Sequence, residues 1–236
     1  PTEPTPRSGA SPPGSGCFDC SSNGLGAGAS LAEAVHHSIC EIIERDSTTL
    51  WNRLPPKERR NTGIDLDSVS DERCRMTLER FVAAEFETTV WETTSDLGIP
   101  SFFCLLSDLR DPTNHHGIGA AAHPSRSRAL LKALIEAAQV RTTYISGARD
   151  DLSPEEYSDQ GRAKKRRLAT RLKTEHSSVR DFDSVRDCET PSQLANITLI
   201  LERLSGAGIN EVVAIDLTKE NIGIPVTRVV IPGLEG

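Results

Sequence analysis

A unit of helix, strand, turn and strand occurs twice in the sequence, and this repeat restricts the fold more than any other feature. In both copies the turn ends in Gly-Ile-Pro, at residues 98–100 and again at 223–225. The predicted bounds are 71–85, 86–92 and 101–106 in the first unit, and 191–205, 212–217 and 226–231 in the second. The repeat favours the α+β class, with helices packed on one mixed β-sheet made of two pseudo-equivalent lobes.

The first long helical segment, residues 31–46, carries an acidic stripe opposite its apolar side. Ser30 and Glu33 have the spacing of a capping box, which predicts that a helix begins here. On a helical wheel, the apolar side consists of Leu31, Val35, Ile39, Ile42 and Ile43. The opposite side consists of Glu33, His37, Glu41 and Glu44, flanked by Arg45. Because stacked carboxylates repel one another, this stripe needs cations among its members.

A second helix, predicted over residues 127–145, also opposes a polar face to an apolar one. Its apolar side consists of Leu130, Leu131, Leu134, Ile135 and Ala138. Its polar side consists of Arg128, Lys132, Glu136 and Gln139. The two polar faces are therefore candidates for a shared site.

The residue types on these two faces suggest a nucleotide–Mg²⁺ site. The carboxylates of Glu33, Glu41, Glu44 and Glu136 are hard oxygen ligands that suit Mg²⁺ better than zinc. Mg²⁺ usually bridges one or two carboxylates to nucleotide phosphates, and Arg45, Arg128 and Lys132 offer the positive charge that phosphate oxygens need. The sequence has neither a Walker A loop nor a Gly-x-Gly-x-x-Gly turn. The alternative is an exposed helix with surplus acid.

Composition excludes several classes of protein. The 27 Lys and Arg against 34 Asp and Glu give a net charge of −7, and aromatic residues are only 4% of the chain, which disfavours nucleic-acid binding. No apolar run approaches the ~18 residues that would span a membrane, and no secretory signal is recognisable. The six cysteines are scattered rather than arranged as a disulfide framework. We therefore expect a cytoplasmic protein.

Residues 1–20 are expected to form a flexible lead-in before a domain over residues 21–236. Residues 1–16 contain five Pro, three Gly and three Ser, too little apolar surface to offset the entropy of ordering. Cys17 and Cys20 could supply half of a zinc site, but two ordinary thiols are favoured because the sequence offers no second pair of ligands. Cys40 is expected to be a buried small hydrophobe, and His115 and His116 to be exposed in a loop.

The segment 162–173 is strongly basic, with seven Lys and Arg in twelve residues. A solvated helix face that balances nearby carboxylates is the favoured interpretation. An electrostatic docking strip for an acidic partner or a leader peptide is the alternative.

Several ordered motifs together resemble the YcaO domain family. Residues 22–28 read Ser-Asn-Gly-Leu-Gly-Ala-Gly and residues 38–46 read Ser-Ile-Cys-Glu-Ile-Ile-Glu-Arg-Asp, similar to the family's Ser-Asn-Gly-Leu and Ser-x-x-Glu-x-x-Glu-Arg. The match continues through residues 94–100, 119–124 and 129–141, the last of which contains Glu-x-x-Gln, and through 231–235. The stretch 141–151 is similar to the branch found beside TfuA proteins.

The resemblance implies ATP- and Mg²⁺-dependent activation of peptide backbone amides, leading to azolines or thioamides. It implies Mg²⁺ ligands at Glu33, Glu41, Glu44 and Glu136. It implies ATP contacts at Glu33, Ser38, Arg45, Lys132, Glu136 and Gln139. It identifies no catalytic residue, and the implied fold is a YcaO-like α+β domain.

Two positions depart from the family pattern. Ala29 stands where members usually have Asn, and Lys132 stands where they usually have Arg, whose fork binds phosphate in a bidentate manner. The resemblance also implies that residues 21–236 are a partial domain without the family's N-terminal half. We therefore expect a peptide substrate together with a TfuA-like protein, a chain that supplies the missing half, or a second copy. The alternatives are a non-catalytic accessory protein and, within that class, an accessory factor in ribosomal-protein methylthiolation.

Overall fold

The computed structural model describes residues 21–111, 115–147, 149, 152–177 and 179–234. The lead-in, with Cys17 and Cys20, lies outside these described residues. The helices are α1 (Leu31–Arg53), α2 (Pro56–Arg60), α3 (Glu72–Ala83), α4 (Arg126–Ser146), α5 (Asp159–Thr174) and α6 (Gln193–Gly206). The strands are β1 (Leu25–Ala27), β2 (Ile64–Asp65), β3 (Phe86–Glu92), β4 (Ser101–Asp108), β5 (Gly117–Ala122), β6 (Arg180–Asp181), β7 (Val213–Asp216) and β8 (Val226–Val230).

Both predicted helix–strand–turn–strand units are present, and each strand pair is antiparallel. The single mixed sheet that we expected is instead divided, since the two units do not pair with each other. The first unit gains β5 and forms a sheet of order β3-β4-β5, while the second gains β1 and forms a sheet of order β1-β8-β7. The short strands β2 and β6 form a parallel pair. The fold class remains α+β, with a small parallel and two larger antiparallel sheets.

The sheet β3-β4-β5 carries the largest core. All eight residues of its central strand β4, including the apolar run 102–106, are buried because both faces of the sheet are covered. One face packs on α3 and α4 through residues such as Phe102, Cys104 and Leu134. The other face carries Trp91 and Phe103, which pack with Trp51 from α1 and with the buried side of α5.

Helix α1 connects the two larger sheets. Its apolar side, with Ile39 and Ile43 fully buried, packs with α6 and the sheet β1-β8-β7. Ser30 caps the helix through its Oγ, which accepts a hydrogen bond from the N–H of Glu33. The helix continues to Arg53, seven residues beyond the predicted end. Ser47, Thr48 and Thr49 weaken its intrinsic propensity, but burial of Trp51 in the aromatic core sustains it.

Helix α4 and strand β5 approach each other so closely that only glycine fits between them. A Cβ atom on Gly119 would lie 2.1 Å from the carbonyl oxygen of Ala133, and one on Gly117 would lie 2.1 Å from that of Ala137. The polar face of α4 is therefore held at a fixed height above the edge of the sheet.

The expectation that His115 and His116 are exposed is wrong. His115 is buried and stacks on Tyr144, with ring centroids 4.6 Å apart and planes at 5°. His116 shares a hydrogen bond with the Ser107 hydroxyl, with the two atoms 3.1 Å apart. This packing could not be predicted from local sequence, because Tyr144 and Tyr157, which contact His115, follow it by ~30 to 40 residues.

Candidate functional site

The polar faces of α1 and α4 meet beside strand β5 and enclose a cavity of about 320 Å³, here called the acidic cavity. Strand β5 is an edge strand of its sheet, and two of its residues, Ala120 and Ala122, line the cavity. The lining residues are His37, Cys40, Glu41, Glu44, Arg45, Ala120, Ala122, Lys132, Ile135, Glu136 and Gln139. Six of the eight predicted site residues, from two separate helices, therefore line this cavity; they are Glu41, Glu44, Arg45, Lys132, Glu136 and Gln139.

The carboxylates of the acidic cavity are partly deprived of water and of counter-charge. Burial raises the pKa of Glu44 to about 8, and the negative charges of Glu136 and Glu41 add to this rise. Burial also raises the pKa of Glu136, even though its Oε2 accepts a hydrogen bond of 2.7 Å from the N–H of Ala120. Glu41 is paired with Arg45, whose guanidinium lies 2.9 Å from Oε1. The cavity thus carries an excess of carboxylate that a divalent cation would neutralise.

A second cavity of about 330 Å³, here called the histidine cavity, adjoins the first. The two cavities share His37, Cys40 and Lys132. The other lining residues of the histidine cavity are Ala27, Glu33, His36, His123, Arg128, Leu131, Gln193 and Asn196.

Glu33 lies in the histidine cavity rather than beside Glu41, Glu44 and Glu136. Its Oε2 accepts a hydrogen bond of 2.8 Å from the N–H of Ala29, which completes the capping box predicted with Ser30. Glu33 therefore supports the start of α1 as well as facing a cavity.

Ser38 is the one predicted site residue that lies outside both cavities. Its side chain is fully buried against β8. Its hydroxyl donates a hydrogen bond of 2.9 Å to the carbonyl oxygen of Ala34 and lies 3.1 Å from the hydroxyl oxygen of Thr227. The place of Ser38 in the motif indicated an ATP contact, but its side chain joins α1 to the sheet.

Two histidines that our sequence reasoning missed pack against each other in the histidine cavity. The rings of His36 and His123 meet edge to face, with centroids 5.1 Å apart. Burial lowers the pKa of both, that of His123 to about 3, so both are neutral near pH 7. His123 Nδ1 accepts a hydrogen bond from the N–H of Ser125, which leaves its proton on Nε2. The motif at residues 119–124 contained His123, but without a partner in sequence nothing signalled its role.

Cys40 is buried, as expected, and burial raises the pKa of its thiol to about 12. Its Sγ lies 3.7 Å from Nε2 of His36. The thiol therefore stays protonated and forms part of the wall between the two cavities.

The donor set of the acidic cavity fits Mg²⁺ bound together with phosphate. Within the described ranges, no group of three or more His, Cys, Asp or Glu side chains is already arranged to hold a metal ion. Mg²⁺ usually takes only one or two carboxylates and completes its octahedron with water and phosphate oxygens. Glu44 and Glu136 can supply these carboxylates, and Lys132 and Arg45 can face the phosphates.

The fold and this site define an α+β protein in which two helix faces form a cavity suited to a metal–phosphate complex. The chain belongs to the YcaO family, which is described as ATP- and Mg²⁺-binding YcaO cyclodehydratases and whose profile matches residues 3–235. ATP and Mg²⁺ are thus the cofactors by which the family is described.

Two relatives resemble this chain along most of its length. The "Uncharacterized protein in tfuA 3'region" of Rhizobium leguminosarum bv. trifolii is 34% identical over 233 residues, which cover 96% of this chain and 54% of that protein. An uncharacterized protein of Methanothermobacter thermautotrophicus is 34% identical over 231 residues, 94% of this chain and 58% of that protein. The chain therefore spans little more than half the length of these relatives.

Solved structures share the fold. YcaO from Methanopyrus kandleri, bound with AMPPCP and Mg²⁺, matches with a TM-score of 0.70 and 26% identity over 92% of this chain and 56% of that one. A heterocyclase in complex with substrate and cofactor matches with a TM-score of 0.73 and 23% identity over 91% of this chain and 28% of that one. The second likeness concerns the fold alone.

In the part of the chain that the structure describes, no helix is both long and apolar enough to cross a membrane.

Proposed function

We propose that this chain binds ATP with Mg²⁺ in the acidic cavity and acts in the activation of peptide backbone amides for azoline or thioamide formation. The observation that supports this proposal best is the convergence of Glu41, Glu44 and Glu136 with Lys132 in one cavity. Membership of a family described as ATP- and Mg²⁺-binding cyclodehydratases supports it independently.

The residues of the two cavities divide into three roles under this proposal. Glu44 and Glu136 hold Mg²⁺, and Glu41 contributes a carboxylate while it keeps Arg45 in place. Arg45, Lys132 and Gln139 contact the phosphates. Glu33 reaches the ligand only from the histidine cavity.

Bound ATP supplies the phosphoryl group that turns the amide oxygen, a poor leaving group as oxide, into phosphate. The chain's own contribution is to hold the phosphate groups and Mg²⁺ in fixed positions. Lys132 carries a point charge that neutralises phosphate oxygens without the fixed fork of an arginine. Ala122, which is buried, forms part of the apolar wall of the cavity on the strand side.

Equilibrium ATP binding with and without Mg²⁺ tests the proposal. We expect Mg²⁺ to increase ATP affinity of the native chain, and Glu41→Ala or Glu136→Gln to weaken that Mg²⁺-dependent binding by about tenfold or more. The control is Glu79→Gln on α3, an exposed glutamate that lines neither cavity. Equal ATP binding by Glu41→Ala and the native protein would contradict the proposal.

Phosphate release separates an enzyme from an accessory protein. Peptide-dependent release of phosphate by the chain, alone or with a TfuA-like protein, would establish turnover. ATP binding without such release, both with and without the TfuA-like protein, would favour the non-catalytic accessory role, including one in ribosomal-protein methylthiolation. Mass analysis of the peptide then distinguishes the products, because azoline formation removes one water whereas thioamide formation replaces oxygen by sulfur.

We further propose peptide, a TfuA-like protein and a second copy of the chain as partners, and the cytoplasm as its location. The similarity to a protein of a tfuA 3' region supports the second partner. The cysteines Cys40, Cys74, Cys104 and Cys188 are free thiols, which suits a reducing compartment.

A further inference from the structure

Helix α5 presents a groove lined by three arginines on the surface of the molecule. The groove is a shallow depression, open to solvent, and is formed by five residues of α5: Ala163, Arg166, Arg167, Thr170 and Arg171. These positions follow the i, i+3, i+4, i+7, i+8 spacing of a single helix face. The small side chains of Ala163 and Thr170 leave room between the guanidinium groups. We call this face the arginine groove.

The opposite side of α5 is anchored, so the arginine groove has a fixed orientation. Ala169 and Leu172 are buried in the aromatic core with Trp51, Trp91 and Phe103. The groove is therefore a surface feature of a packed helix rather than of a free one.

The carboxylates near α5 neutralise its flanks but not the groove. Asp159 pairs with Arg162, Glu156 with Lys165 and Glu87 with Lys173. Among the residues that the structure describes, no carboxylate lies within ion-pair distance of Arg166 or Arg167.

The third arginine of the groove is only weakly engaged. Arg171 lies 4.0 Å from Glu175, whose carboxylate is held at 2.6 Å by the buried Arg59. The side chain of Arg171 is 59% exposed. Arg167 and Arg171 are thus exposed to an external anion, and Arg166 is half-buried beside them.

We propose that the arginine groove binds an acidic peptide segment. The chain as a whole carries a net charge of −7, so an acidic peptide is repelled by most of the surface and attracted to this local positive field. Guanidinium groups match carboxylates in a bidentate manner. The groove contains no aromatic side chain on which a base could stack, which disfavours a nucleic acid as its occupant.

The spacing within the groove specifies the arrangement of the acidic residues. Arg167 and Arg171 are one helical turn apart, about 6 Å along the axis at ~1.5 Å per residue. Alternate residues of an extended peptide are about 6.6 Å apart, at ~3.3 Å per residue. The groove thus fits an extended segment with carboxylates at alternate positions.

Fluorescence anisotropy with a labelled (Glu-Ala)₄ peptide tests this proposal. We expect salt-sensitive binding to the native chain, no measurable binding of the matching (Gln-Ala)₄ peptide, and about tenfold weaker binding of the acidic peptide by the triple variant Arg166→Gln, Arg167→Gln, Arg171→Gln. The matched control replaces Arg73, Arg75 and Arg80 of α3 by Gln, and there the affinity should change less than about twofold.

Three outcomes would overturn the proposal. They are equal loss of binding in the two triple variants, equal binding of the Glu and Gln peptides, and tighter binding of a single-stranded oligonucleotide than of the acidic peptide. ATP binding with Mg²⁺, measured on the same variants, should be unchanged because the arginine groove shares no lining residue with the acidic cavity. Failure of the arginine groove therefore leaves the proposed function standing, and the converse also holds.

Discussion

At the scale of single residues, the fold raises the pKa of two carboxyl groups in the acidic cavity, those of Glu44 and Glu136. Glu44 is the clearest example, because burial raises its pKa and the negative charges of Glu136 and Glu41 raise it further. A carboxylate that is costly to ionise in the empty protein becomes a strong ligand once a cation is present.

Glu44 should make the metal-free protein less stable as the pH rises. Its pKa is raised from about 4.5 in the unfolded chain to about 8 in the folded one, so its favourable contribution is complete below pH 4.5 and is lost as the pH rises through 8. Glu44→Gln should therefore stabilise the metal-free protein at pH 8 by at least about 1 kcal/mol in urea unfolding. The same variant should lose stabilisation by Mg²⁺-ATP, whereas Glu79→Gln should show neither effect. If the unfolding free energy of Glu44→Gln depended on pH as that of the native protein does, Glu44 would not have a raised pKa in the folded state.

His123 should have the opposite pH dependence. Its pKa is lowered from 6.5 to about 3, so the stability that it contributes is present above pH 6.5 and is lost as the pH falls toward 3. For this one group the loss between pH 7 and pH 5 amounts to about 2 kcal/mol. We expect His123→Gln to flatten the unfolding free energy over this interval, with the exposed His37 replaced by Gln as control. Equally steep profiles in both variants would exclude His123 as the source.

At the scale of elements, the close contact of α4 with β5 sets the height of Glu136 above the strand edge. Gly119→Ala places a Cβ against the backbone of Ala133, which cannot move aside as a flexible side chain could. We expect a loss of about 1–3 kcal/mol in unfolding free energy, together with weaker Mg²⁺-dependent ATP binding.

Gly206→Ala is the matched control for this substitution. Gly206 lies in the last turn of α6, and a Cβ added there meets no atom within 4 Å. Its replacement by Ala should be neutral or slightly stabilising. A Gly119→Ala variant as stable as Gly206→Ala would show that α4 can shift away from β5.

The elements themselves could largely be predicted from the sequence. Both repeated units and α4 lie within two residues of their predicted bounds, because their periodicity and their turns are local signals. The division into separate sheets could not be predicted. It depends on β1 pairing with β8 about 200 residues later, a partnership between short strands that no local pattern encodes.

The candidate site was predictable to a similar extent. A helical wheel brought Glu41 and Glu44 to one face, and the structure places Glu136 with them in one cavity. The wheel also grouped Glu33 with them. Glu33 precedes Glu41 by eight residues, which is ~12 Å along α1, and it therefore lies in the histidine cavity. The contacts of Ser38 with Thr227 and of His123 with His36 could not be predicted, because the partners come from distant segments of the chain.

At the scale of the whole molecule, the described residues cover the sheet β1-β8-β7 on one face only. Helix α1 packs on its inner face, while its outer face exposes Leu25, Val213, Ile215 and Val230. All four residues of β7 are exposed, and β7 is an edge strand. Such a strand is a template for pairing with another chain.

We expect this chain, isolated at high concentration, to self-associate through β7. Ile215→Lys should shift sedimentation velocity profiles toward the monomer at an unchanged concentration, because a charge on an edge strand opposes pairing. The control is Val82→Lys on α3, which is 71% exposed and lies outside this sheet. Equal association by both variants would assign the contact to another surface.

Lys132 lines both the acidic cavity and the histidine cavity, and this arrangement has a thermodynamic consequence. One ammonium group cannot neutralise two anions in full, so an anion in the acidic cavity and an anion in the histidine cavity compete for Lys132. A neutral guest in the histidine cavity escapes that competition. Occupancy of the two compartments is thereby linked through a single side chain, and the sign of the cooperativity reports the charge of the second guest.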